Sequence, residues 1–377
     1  GRAERLLQAL DVAVDPRTPV EQLPIARRQL VEITKALSLD CKVLILDEPT
    51  SALTDSEANL LLGFLRRLAN DGVGILYISH KIKEVFALAD RVTVLRDGRY
   101  VGTEKISEVT PGRVIRMMVG RELGDMYPPK ASSVGAPLLD VRSVRLPNSD
   151  ARNSFTLNRG EVLGIAGLLG SGRSELARAI FGVDPRAEGE IILDGSPAHI
   201  RSSQDAIALG LGYLPEDRKA AGLFLEMSIK LNIESAVIGS VSRGGFLAGA
   251  KERALAQHYV SQLNITTPGI EQEVRRLSGG NQQKTLVAKW LSIKPKVLIV
   301  DEPTRGIDVG AKKEIYFLLR ELAESGVGVI MISSELPEIL GMSDRILVMH
   351  EGKLVAEYTE AEASEEKIIR SASHHHE

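Results

Sequence analysis

The chain has 377 residues, 44% of them hydrophobic and 26% charged, with 47 Lys and Arg against 50 Asp and Glu for a net charge of −3. Those proportions exclude a disordered chain and give no overall electrostatic pull towards nucleic acid or anionic lipid. A single cysteine, Cys41, excludes a disulfide scaffold and a multi-cysteine zinc site, and 4% aromatic residues leave few platforms for stacking bases.

The length suggests more than one domain. The sequence opens Gly-Arg-Ala, with neither an initiator Met nor a signal peptide. A helix candidate precedes the apolar run Val43–Leu46, which ends on Asp47-Glu48-Pro49-Thr50. Leu61, Leu65 and Leu68 then recur at helical spacing, and Gly74–Ile78 reads as a strand. Arg121–Pro137 holds three prolines, two glycines and no periodicity, and reads as a linker.

After the linker, Gly160–Ile165 looks like a strand and Glu175–Phe181 like a helix, with Gly167-Leu-Leu-Gly-Ser-Gly-Arg-Ser174 between them. This fits the phosphate-loop pattern, with Arg173 where Lys is expected. Gly167, Gly170, Ser171 and Gly172 let successive backbone N–H groups point into one concavity, and the helix start adds its positive dipole end. Arg173 keeps the charge but replaces a point donor with a flat fork. Ser174 offers a hydroxyl to Mg²⁺. The competing reading is a glycine-rich turn that binds nothing. Further on, Val297–Val300 is an apolar strand closed by Asp301 and Glu302. Ile315, Leu318, Leu319 and Leu322 mark a helix, and Gly328–Ile332 is the longest apolar run, far short of the ~20 residues of a membrane span. At the end of a strand, Asp301 is placed to hold Mg²⁺ and Glu302 to polarise a water.

The chain repeats itself. Lys42–Thr50 and Lys296–Thr304 match at a constant offset of 254, which also pairs Leu23 with Leu277, Ser79 with Ser333 and Gly98 with Gly352. A period of that length marks a duplicated domain, not a solenoid. The sequence therefore predicts part of one domain over 1–120, a linker over 121–137 and a complete domain over 138–377. Strand–helix–strand units predict a parallel α/β sheet in each copy. At the same offset, the first copy's phosphate loop would fall before Gly1, so an N-terminally truncated first copy is expected.

Leu277-Ser278-Gly279-Gly280-Asn281-Gln282-Gln283 resembles the signature motif of ABC ATPases. With the phosphate loop and the Asp-Glu strand end it completes the motif order of that superfamily. The tandem arrangement, Pro215-Glu-Asp-Arg-Lys219 and Ser333-Ser-Glu-Leu-Pro-Glu338 are similar to the ATP-binding subunits of bacterial simple-sugar importers (the ribose, galactose, xylose and arabinose group). The resemblance implies a P-loop NTPase core with an antiparallel β-subdomain and a helical subdomain, tandemly duplicated with the first copy incomplete. It implies ATP and Mg²⁺, an integral-membrane sugar permease as a separate chain, indirectly a periplasmic sugar-binding protein, and a place on the cytoplasmic face of the inner membrane. No nucleic-acid partner is implied.

Carried residue by residue, the resemblance implies one composite site served by Asp47, Glu48, His80 and the 277–283 signature. A second composite site would use Arg173, Ser174, Asp301, Glu302, Ser334 and the degenerate signature Leu23–Gln29, where Pro24 replaces the serine. Ser334 stands where a switch histidine is expected, so the second site is expected to hydrolyse poorly or to regulate. Glu216 stands where a Mg²⁺-sensing glutamine is expected and is a further metal candidate. The aromatic expected near 141–148 for adenine is not in the sequence. A soluble tandem ABC ATPase of translation and a non-catalytic nucleotide-binding regulator remain as alternatives. Trp290, Cys41, Met117 and Met118 read as packing residues, Arg27 and Arg28 as a helix face, and His374–His376 as a solvated tail.

Overall fold

A computed structural model describes residues 14–38, 41–50, 53, 55–79, 81–96, 98–119, 126–130, 134–147, 149–168, 170–184, 186, 188–243 and 246–373. His80 and His374–His376 lie outside them. Two compact units are found, Gly1–Asp125 and Met126–Glu377.

In the first unit, β1 (Val43–Asp47) pairs in parallel with β2 (Gly74–Ile78), Asp47 opposite Ile78. The Asp55–Asn70 helix buries Leu61 and Leu65 against Leu44 and Leu46. The opposite strand face carries Val43 and Ile45, each 63% exposed. An antiparallel hairpin follows, β3 (Arg91–Arg96) with β4 (Arg99–Lys105). Met117 and Met118 pack with Val94, Val109 and Val114.

The second unit begins with a four-stranded antiparallel sheet built from β5 (Pro137–Arg145), β6 (Arg152–Asn158), β8 (Glu188–Leu193) and β9 (Ser196–Pro197). The core sheet has the order β10-β13-β14-β7-β15-β16, where β7 is Val162–Gly167, β10 Leu211–Leu214, β13 Val297–Asp301, β14 Gly328–Ile332, β15 Arg345–His350 and β16 Lys353–Thr359. The first five run parallel and β16 is antiparallel to β15. A short hairpin, β11 (Ser242–Arg243) with β12 (Phe246–Leu247), comes between the helices Ile229–Glu234 and Gly249–Gln262 in chain order, and the helix Gly279–Leu291 follows.

Every residue of β13 and β14 is buried. Continuous Val, Leu and Ile runs suit strands covered on both faces, and each such side chain contributes about 1.5–3 kcal/mol. The contrast with β1 is direct: Val297 is 0% exposed where its repeat Val43 is 63% exposed. In the second unit the Arg173–Phe181 helix packs on β7, β10 and β13.

The stretch read from composition as a linker differs from residue 126 onward. The Tyr127 ring meets that of Tyr316 at 5.1 Å, and Lys130 Nζ donates to the Leu340 carbonyl at 2.7 Å. Pro137 already belongs to β5. Two aromatic rings and a half-buried lysine outweigh the flexible composition. The phosphate-loop strand is likewise shifted, to Val162–Gly167, because a turn after β6 takes up Arg159–Glu161: Glu161 Oε2 accepts from the Asn158 N–H at 2.7 Å. Among the described residues no helix is long and apolar enough to cross a membrane.

Candidate functional site

The site forms where β7, β13 and β14 end. Strand β7 delivers the chain to Gly167, where a Cβ would lie 2.4 Å from the Met349 carbonyl oxygen. Gly172 starts the Arg173–Phe181 helix at φ 96°, without a side-chain cap. A left-handed residue there is cheap only for glycine. The helix thus leaves its first N–H groups for a ligand, and the orphan donors and dipole favour an anion. Behind the loop, the Ser171 carbonyl accepts from the Gly352 N–H at 2.8 Å, which fixes it to the β15–β16 turn.

Two polar atoms at this place are buried without a protein partner: Ser171 Oγ and Asp301 Oδ1. Asp301 is 1% exposed, and its other oxygen accepts from the Tyr213 hydroxyl at 3.3 Å. Burial raises its pKa; hydrogen bonds from Ser174 and Tyr213 oppose the rise and the charge of Glu216 adds to it. An orphaned, buried carboxylate oxygen near a serine hydroxyl is the donor set of a hard divalent cation. The residues therefore fit Mg²⁺ beside a phosphate. Glu216, the further metal candidate, is ion-paired with Arg305.

Glu302 holds a left-handed backbone at φ 49°, and its repeat Glu48 does the same at φ 46°. Both backbone N–H groups donate at 2.9 Å to the next strand, Glu302 to the Ile332 carbonyl and Glu48 to that of Ile78. Strain of this kind costs on the order of 1–3 kcal/mol and gathers at functional sites. The Ser334 N–H donates to Glu302 Oε1 at 2.6 Å. Burial pushes the Glu302 carboxyl up to about 7, against the hydrogen bonds from Ser334 and the charge of Arg173.

Arg173 is where the sequence reading needs adjusting. Its guanidinium is buried and donates from Nη1 to the Ser333 carbonyl at 2.7 Å, so the fork is engaged with the end of β14. The contact is a single bond from one nitrogen of the flat fork, where a lysine would bring a point donor.

The signature segment sits against other loops. Ser278 Oγ caps the Gly279–Leu291 helix, accepting from the Asn281 backbone N–H at 3.4 Å and from its side-chain amide at 3.0 Å. Asn281 Oδ1 accepts from Thr266 N–H at 2.9 Å, and Gln282 Nε2 reaches the Leu277 carbonyl at 3.3 Å. Arg218 donates to the carbonyls of Arg305 (2.6 Å) and Gly306 (3.1 Å), which joins the 215–219 loop to this corner. A Cβ on Gly279 would meet the Gly306 carbonyl at 3.0 Å, and one on Gly280 the Ala311 Cβ at 2.8 Å. In the first unit Pro24 starts the matching helix with no side-chain cap. There Asp47 is exposed and Glu48 half-buried, while His80 lies outside the described residues.

Sequence reasoning missed Tyr213, the Arg173–Ser333 contact and the buried carboxylate Glu338. Tyr213 sits in a four-residue strand, and nothing local in the sequence ties it to Asp301.

This fold, with a phosphate loop, an Asp-Glu strand end and a capped signature helix, defines an ATP-binding cassette. The ABC transporter family profile matches residues 151–305. The ribose import ATP-binding protein RbsA 2 of Rhizobium etli is 50% identical over 99% of this chain and 75% of its own length. A putative ribose/galactose/methyl galactoside import ATP-binding protein of Pseudomonas fluorescens is 50% identical over 98% of this chain and 72% of its own. Among solved structures, CbiO1 of Clostridium perfringens, part of the CbiONQ ABC transporter complex, superposes with a TM-score of 0.52 at 25% identity, covering 62% of this chain and 93% of its own. A nucleotide-free ATP-binding cassette from an ABC transporter gives 0.51 at 21% identity, covering 63% and 95%. The chain belongs to the family of sugar-import ATP-binding proteins of ABC transporters.

Proposed function

We propose that the second unit binds MgATP on its phosphate loop and, as the energising subunit of a monosaccharide importer, works a separate membrane permease. The observation that carries the nucleotide site is the pair of buried, unpartnered atoms, Ser171 Oγ and Asp301 Oδ1, beside an uncapped helix start. The loop N–H groups and Ser171 hold phosphate oxygens; Ser174 and Asp301 hold Mg²⁺, which when bound neutralises phosphate charge. Glu302 orients and polarises the attacking water, and the Ser334 N–H keeps its carboxylate turned towards the strand end. Glu48, Asp47 and His80 are the corresponding proposals in the first unit, and Leu277–Gln282 the signature that meets a nucleotide's terminal phosphate.

The permease-facing surface is the segment around Glu216–Lys230, where Phe224 and Met227 are about half exposed. The same reading has the protein work at the cytoplasmic face of the inner membrane, with a periplasmic sugar-binding protein as an indirect partner. The relatives' names support ribose or galactose as the sugar class and speak against a translation ATPase.

A weak or regulatory second site is supported by Arg173, whose guanidinium is turned to Ser333, and by the serine at position 334. The test is steady-state ATP turnover by the purified 377-residue chain. Slow or no Mg-dependent turnover is expected. Appreciable turnover abolished by Glu302→Gln would overturn the assignment of a poor second site.

A further inference from the structure

We propose that Glu338 is a positioning residue for the nucleotide site. It lies on the Leu336–Met342 helix, is 1% exposed, and touches none of the residues assigned above to phosphate or metal. Its Oε1 accepts from the Tyr316 hydroxyl at 2.5 Å, from Lys312 Nζ at 3.1 Å and from the Thr304 hydroxyl; its Oε2 accepts from Ser333 Oγ at 2.8 Å. Thr304 stands two residues beyond Glu302. Ser333 precedes Ser334. One buried carboxylate thus pins the ends of both β13 and β14.

Ser333 is the junction. Its hydroxyl is on Glu338, its carbonyl accepts from Arg173, and the next N–H donates to Glu302. The guanidinium on the phosphate loop and the carboxylate at the strand end are therefore set by the same two residues of β14's exit, and Glu338 sets those. Charge-assisted bonds to a buried carboxylate are short and strong, and they orient their donors.

The first unit builds the same hub at the same offset. Glu84 accepts from Thr50 at 2.7 Å, from Tyr77 at 2.6 Å and from Ser79 at 3.4 Å, with Lys81 Nζ at 3.2 Å. Thr, Ser and Glu repeat position for position. The tyrosine and lysine do not: Tyr77 comes from β2, whereas Tyr316 comes from the Val309–Glu324 helix. Different neighbours have been recruited around a fixed Thr–Glu–Ser link, so the link to the strand ends is the common feature.

The proposal rests on the reading that Glu302 and Ser334 face the terminal phosphate. It predicts that the hub sets preference for a nucleoside triphosphate over a diphosphate. Binding of MgAMPPNP and MgADP to the 377-residue chain, whose sequence holds one phosphate loop, is measured by calorimetry for wild type, Glu338→Gln, Ser333→Ala and Tyr316→Phe. MgAMPPNP affinity should fall about tenfold in Glu338→Gln and Ser333→Ala, the worth of one charge-assisted hydrogen bond, with MgADP affinity unchanged. Tyr316→Phe, which removes a donor away from the strand ends, should lower Tm and leave the ratio of affinities as in wild type. If Glu338→Gln does not fold, Ser333→Ala decides alone. Equal weakening of both nucleotides, or an unchanged ratio in Ser333→Ala, overturns the positioning role and leaves the nucleotide site standing. A wild-type chain that binds neither nucleotide overturns both.

Discussion

The Ser334 backbone N–H lies 2.6 Å from Glu302 Oε1, so the residue standing in the switch position reaches the acid at the strand end through its main chain, with its side chain hydrogen-bonding to the same carboxylate. Ser334→Ala should therefore leave nucleotide affinity within about twofold of wild type, since the main-chain donor survives the substitution. Ser334→Pro, which removes the N–H, should weaken MgATP binding clearly; equal affinities for both variants would show that the contact has no part in the site.

Glu302 also makes stability depend on pH. Burial raises its pKa in the folded chain to about 7 from an ordinary 4.5. Between those values the folded state holds the proton that the unfolded state has lost. Stability is thus full below about pH 4.5 and declines as pH rises through 7. With its partial exposure discounted, the cost at pH 8 is roughly 2 kcal/mol. Urea unfolding should show Glu302→Gln more stable than wild type at pH 8 and equal to it at pH 4.5. A pH-independent difference would contradict the assignment.

Glu234 gives a second, independent pH effect. Both its carboxylate oxygens are buried, and burial together with the charge of Glu252 and a hydrogen bond to it pushes its pKa to about 7. The sign is the same: a raised folded pKa means stability lost as pH rises through 7. Glu234→Gln should raise Tm at pH 8 by about 2–4 °C for each kcal/mol recovered, and by little at pH 5. A lowered Tm at both pH values would mean that the charged form is stabilised by its surroundings.

Arg173→Lys should keep nucleotide affinity within a few-fold, because the charge stays, and lower Tm, because the Ser333 carbonyl loses its partner. Arg173→Ala should cost about tenfold or more in affinity. Calorimetry and thermal unfolding on the two variants separate these effects. Wild-type affinity in Arg173→Ala would mean that the guanidinium serves only the fold.

At the signature, Gly280→Ala brings its Cβ to 2.8 Å from that of Ala311 and should cost about 1–3 kcal/mol by overpacking. Ser278→Ala loses the helix cap and should cost about 1 kcal/mol. Thermal unfolding checks both, and a neutral Gly280→Ala would show that the Val309–Glu324 helix can move aside.

Much of the second unit was legible in the sequence because its signals are local. Val297–Asp301 is a continuous apolar run ended by acids, and Gly167–Ser174 carries its glycines where the backbone needs them. What could not be read depends on partners far apart in sequence. Arg173 meets Ser333 across 160 positions, and Glu338 gathers Thr304 and Tyr316 from other elements. Composition misled at Tyr127, where a Pro-rich stretch hides a ring that docks on Tyr316. The repeat carries over the strand pattern but not its surroundings: Val43 is 63% exposed where Val297 is buried.

Whether the second unit's phosphate loop carries a single MgATP site is tested most directly by calorimetric titration of the 377-residue chain with MgAMPPNP. One nucleotide per chain, with affinity lost in the Ser174→Ala, Asp301→Asn double variant, is the result expected. No binding by wild type, or binding that survives the double variant, would contradict it.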